Sequence, residues 1–118
     1  DSRVHVTSIF GADEGEFFIH RNIANLVPPF CSDGEYHGTS AAIEYAIIEL
    51  KVRHLIIFGH TDCGGIKSAY RQFIENTKQD YEFINKWLKI LLPAFNNISK
   101  NVPRENIIEI LEEESIKN

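Results

Sequence analysis

Several things are scarce in this 118-residue sequence, and each scarcity removes a class of protein. Only two cysteines are present, Cys31 and Cys63. A small secreted scaffold stapled by disulfides normally carries more, so a reducing compartment such as the cytoplasm is expected. No stretch reaches the ~20 apolar residues that a membrane helix needs. No signal-peptide pattern, internal repeat or low-complexity tract is present. Positive charge is also short: 12 Lys and Arg stand against 17 Asp and Glu, net −5. The basic residues are scattered singly, with no stripe to neutralise phosphates. Neither a nucleic-acid nor a membrane surface is therefore expected as partner.

What remains is an ordinary soluble composition, 43% hydrophobic and 25% charged. The length suits one domain spanning residues 1–118. The opening "DSRV" lacks a methionine, and both it and the closing "LEEESIKN" read as cut ends.

Apolar periodicity organises the chain. "EFFIHRN" (Glu16–Asn22) is aromatic-rich, follows "GADEG", and reads as a strand. Pro28 and Pro29 break regular structure, and residues 30–38 form a loop. Residues 39–52, "TSAAIEYAIIELKV", read as a helix capped by Thr39 or Ser40. That helix is apolar around most of its circumference, so it is expected buried against a sheet. "HLIIFG" (His54–Gly59) is a continuous apolar run of the kind found in a central parallel strand covered on both faces. A helix follows Gly64-Gly65. Another runs from Asp80 and bends or ends near Pro93, and a last one starts at Pro103. This alternation predicts an α/β fold, a mostly parallel sheet with flanking helices. In such folds chemistry sits beyond the carboxyl ends of the strands.

"FGHTDCGG" (Phe58–Gly65) lies at such an end. His60 and Cys63 are three apart, a pattern open to a metal site, a redox thiol or a plain strand-to-helix turn. The glycines let the backbone approach closely and leave N–H groups at a helix start, where negative charge is favoured. The thiolate is the metal-binding form of cysteine. Zinc accepts this nitrogen and sulfur mixture, and a catalytic zinc needs one further protein ligand plus an open position. A redox role for Cys63 lacks a resolving partner, since no Cys-x-x-Cys is present.

A second constellation is Asp1 and Arg3, two apart on one side of an extended segment, where Arg3 would keep Asp1 ionised. In isolation the same pair reads as a surface ion pair of little energetic weight. Cys31, in a Pro/Gly/Ser-rich loop, is a weaker candidate for a third ligand. His5, His37 and His54 read as surface or turn residues and His20 as structural. Trp87 reads as core.

Together "DSRV", "GEFFIHRNIANLVPP" and "GTSAAIEYAIIELKVRHLIIFGHTDCGGIKSA" resemble the β-class carbonic anhydrases, nearest to their plant-type branch. The resemblance covers about Asp1 to Ala69. It implies a zinc-dependent, reversible hydration of carbon dioxide to bicarbonate and a proton. The family pattern Cys-x-Asp-x-Arg followed by His-x-x-Cys maps onto Asp1, Arg3, His60 and Cys63, and its first cysteine lies outside this sequence. By resemblance His60 and Cys63 ligate zinc, Asp1 orients the nucleophile, and Arg3 fixes Asp1. Phe18, Ile23 and Tyr45 line a small apolar substrate pocket, which the Gly64 backbone faces; as residues alone, the three read equally as core. The resemblance also implies a strand before that first cysteine, central in the family's sheet, without which Glu16–Asn22 and His54–Gly59 have unpaired edges, and a homodimer or larger assembly in the intact protein. The sequence leaves two other readings open, a carbonic-anhydrase-like module that binds or scaffolds without catalysis, and an inactive fragment.

Overall fold

The computed structural model describes residues 4–32, 36–77, 80–98 and 102–117. Among these described residues six α-helices follow one another: α1 (Val6–Phe10), α2 (Gly38–Ile48), α3 (Gly64–Phe73), α4 (Ile84–Trp87), α5 (Leu92–Asn97) and α6 (Arg104–Lys117). Short 3₁₀ turns cover Ile23–Asn25 and Leu88–Leu91.

The packed half is built by α3 and α6. In α3, Ile66, Ala69, Tyr70 and Phe73 recur at helical spacing, and the first three are buried. Ile107, Leu111 and Ser115 do the same on α6. These faces meet each other, with Leu88 and Leu91 from the 3₁₀ turn and Leu26 completing the core. Leu26, Ile66, Leu88, Leu91 and Leu111 are fully buried, each stabilising the fold by about 1.5–3 kcal/mol. Pro93 marks the joint expected from the sequence. It sits in the first turn of α5, where its missing N–H has no helical partner to lose.

Ser115 is the buried polar group in this core. Asn25 Nδ2 donates to its Oγ at 3.1 Å, and the Oγ donates to the Glu112 carbonyl at 2.7 Å. Both bonds satisfy what burial would otherwise leave costly. Asn25 reaches it because Ala24 and Asn25 take left-handed backbone angles, φ 63° and 47°. That turn lies flush on α3. A Cβ on Gly65 would stand 2.9 Å from Ala24 Cβ and Ile23 Cγ2, so only glycine fits there.

The other half departs from the expectation of a sheet. No strand is present among the described residues, and Glu16–Asn22 and His54–Gly59 run without a ladder. A strand satisfies its N–H and C=O groups only through a neighbouring strand, and these two segments are not hydrogen-bonded as neighbours. Leu55 and Ile56 are each 56% exposed, not covered on both faces. The apolar helix α2 is not buried either. Only its Ala46 is buried, while Ile47 and Ile48 are 52% and 58% exposed. Its start also differs, since His37 stands at the N-cap and Thr39 Oγ1 meets His20 Nε2 at 3.0 Å instead of capping. Helix α1, which apolar periodicity did not mark, closes on Gly11, whose φ of 60° suits a left-handed helix end.

Candidate metal and substrate site

Gly59–Gly65 leads into α3, the best-packed helix, so its residues inherit a fixed position. Cys63 is the N-cap of α3 and is 5% exposed. Its own side chain makes no capping bond. His60, half-buried, donates from Nδ1 to the Thr61 carbonyl at 2.7 Å. A carbonyl only accepts, so Nδ1 carries a proton, and the neutral form of a ring held this way has its lone pair on Nε2. That is the tautomer in which an imidazole ligates a metal, with the other nitrogen fixed by a backbone oxygen.

His60 and Cys63 line one cavity of about 800 Å³, together with Gly64, Phe18 and Ile23. The wall is largely apolar and includes Ile57 and Phe58. Tyr45 is not on it, but its ring lies 5.8 Å from that of Phe18, tilted by 40°. Phe18, Ile23 and Tyr45 are each about half exposed, which sets them apart from the core that their sequence pattern equally allowed. Gly64 has open space where a Cβ would stand, so its backbone is accessible from the cavity.

The donor set fits zinc in kind, one imidazole nitrogen and one thiol sulfur. Among the described residues no three His, Cys, Asp or Glu side chains gather as a ligand group. Asp1 and Arg3 lie outside the described residues. Val4, which follows them, is on the cavity wall, and Arg21 Nη1 donates to its carbonyl at 2.8 Å. Cys31 is exposed and does not line the cavity. His5, His20, His37 and His54 are exposed, and of these His20 and His54 lie on the wall.

Two supporting residues carry no local sequence signature. Trp87, read from the sequence as core, donates from Nε1 to the Ile23 carbonyl at 2.8 Å and so fixes a residue of the cavity wall. Glu112 of α6 accepts the Cys63 N–H on its Oε1 at 2.9 Å. The two bonds span 64 and 49 residues of sequence, beyond any motif.

The sequence profile of the carbonic anhydrase family matches residues 1–118. Beta carbonic anhydrase 3 of Arabidopsis thaliana is 40% identical over 101 residues, covering 86% of this chain and 39% of that protein. The solved β-carbonic anhydrase CcaA superposes with a TM-score of 0.81 at 28% identity, over 99% of this chain and 56% of that one. This chain thus spans about two fifths of the plant relative and just over half of the solved structure. With a profile that runs its full length and a His-x-x-Cys turn opening α3, the chain belongs to the β-carbonic anhydrase family.

Proposed function

We propose that the whole protein hydrates carbon dioxide reversibly to bicarbonate and a proton. The observation that carries this reading is the placement of His60 and Cys63 on the wall of one cavity, a wall that is largely apolar and includes Phe18 and Ile23. His60 through Nε2 and Cys63 through its thiolate would hold a zinc ion, with a further ligand from outside the described residues. When bound, zinc supplies Lewis-acid activation of water at neutral pH.

The chain's own residues do the rest. The Thr61 carbonyl holds the His60 tautomer. Asp1 accepts a hydrogen bond from the attacking oxygen and turns its lone pair toward carbon dioxide. Arg3 would hold Asp1 in that pose by a charge-assisted bond; without it, the Asp1 carboxylate would be available as a further metal ligand. Phe18 and Ile23, with the Tyr45 ring beside Phe18, give an apolar surface suited to a small, uncharged substrate, and the Gly64 backbone faces it. The same reading takes the uncovered apolar surface of α2 and residues 54–58 as packed in the whole protein, where a parallel sheet and a homodimer or larger assembly complete the fold.

Metal analysis and stopped-flow hydration of carbon dioxide on the whole protein test the proposal. One zinc per chain, with turnover lost to a chelator and restored by zinc, is the expected result. A folded protein that holds no zinc and leaves the hydration rate unchanged would overturn it and leave the scaffold reading standing.

A further inference from the structure

An N-cap is normally Ser, Thr, Asp or Asn, whose side-chain oxygen takes a helix N–H. Helix α3 has Cys63 there, and its thiol makes no such bond. The residue before it, Asp62, is held at φ 58°, a left-handed conformation uncommon for a residue other than glycine. A turn of this kind persists only where its surroundings hold it. Two contacts do so. Lys67 of α3 pairs with the Asp62 carboxylate, and Glu112 of α6 accepts the Cys63 N–H.

Glu112 is well placed for this. Leu111 beside it is fully buried, and Ser115 one turn on is 2% exposed and bonded to Asn25. The Ser115 hydroxyl also donates to the Glu112 carbonyl, so the backbone that carries this carboxylate is fixed on both sides. A carboxylate at the start of α3 further suits the partial positive charge of that helix end.

We propose that Glu112 is a positioning residue for the Cys63 metal ligand: from α6 it anchors the Cys63 peptide N–H and so sets the point from which the thiol leaves the chain. This inference rests on the zinc reading above. It assigns to the α3–α6 contact a second task besides core packing, the orientation of one ligand of the metal.

Cobalt(II) serves as the probe in the whole protein, because its thiolate charge-transfer absorption reports the Cys63 bond directly. Glu112→Met keeps the side-chain length without an acceptor. Glu112→Gln keeps an oxygen that accepts. Glu112→Met is expected to weaken cobalt binding about tenfold or more in competition with a chelator, and to shift the thiolate band. Glu112→Gln is expected to restore both to near wild type. Wild-type affinity and spectrum in a folded Glu112→Met protein overturn the inference and leave the zinc reading intact. So does a Glu112→Gln protein as weak as Glu112→Met, or a Glu112→Met protein that does not fold, since the contact is then purely structural. A wild-type protein that takes up no cobalt overturns both.

Discussion

Ile56 and Ile66 are the same side chain ten residues apart, one 56% exposed and the other fully buried. They stand for two halves of the chain. In the half formed by α3, α6 and the turns between, apolar residues recur at helical spacing and meet a partner face from the same 118 residues. In the half formed by α2, Glu16–Asn22 and His54–Gly59, apolar residues are as dense and mostly uncovered. A helix satisfies its backbone within itself and needs only one apolar neighbour. An extended segment needs neighbours for its backbone and for both of its faces. The site lies at the seam, with His60 at the end of the open half and Cys63 at the start of the packed one.

Substitutions on the two sides of that seam should separate sharply. Leu111→Ala is expected to cost about 2–5 kcal/mol in chemical unfolding of this chain, because a cavity opens between α3 and α6. Ile56→Ala should stay within about 0.5 kcal/mol, as for exposed positions generally. Equal costs would mean that the open half is covered after all.

Gly65→Ala tests how tightly the 23–25 turn lies on α3. The new methyl meets Ala24 N at 3.0 Å as well as two side chains, and backbone yields poorly. The expected loss is about 1–3 kcal/mol. A variant as stable as wild type would show that the turn can lift away.

Trp87→Phe keeps a ring and removes the donor to Ile23. A loss of about 0.5–1.5 kcal/mol is expected, with the Ala24 amide, in the same peptide unit as the Ile23 carbonyl, exchanging faster with solvent. Unchanged exchange would detach Trp87 from the cavity wall.

The smallest effect is expected at Glu82 and Lys86. The Lys86 hydrogen bond, and then its charge, hold the Glu82 carboxyl below its ordinary 4.5. A depressed carboxylate stabilises above its ordinary value, and that contribution is lost as pH falls through the lowered one. Both groups are exposed to solvent, so Lys86→Ala should leave the melting temperature at neutral pH unchanged within error. A clear drop would give this surface pair a structural weight that its exposure does not suggest.

Local signals made the packed half legible. Ile66, Ala69, Tyr70 and Phe73 announce α3 by spacing alone, and Pro93 announces the joint before α5. The nearness of His60 and Cys63 to one another at the start of α3 is legible too, since their spacing, the glycines and the helix start all lie within eight residues. The environment of α2 was not. Its all-round apolar surface predicts burial, but burial depends on what packs against it, which no residue inside the helix encodes. Helix α1 was missed because "VTSIF" is too short to display a period. The bonds from Trp87 and Glu112 were invisible for a different reason, joining a side chain to a backbone group that only folding brings near.

The central claim is that His60 and Cys63 are metal ligands at this seam. The most direct measurement is the zinc content and carbon dioxide hydration rate of the whole protein carrying Cys63→Ser. Serine is nearly isosteric but a far poorer zinc ligand, so the fold should survive. The account predicts that zinc falls well below one per chain and that hydration falls with it. A Cys63→Ser protein with full zinc and normal turnover would contradict it.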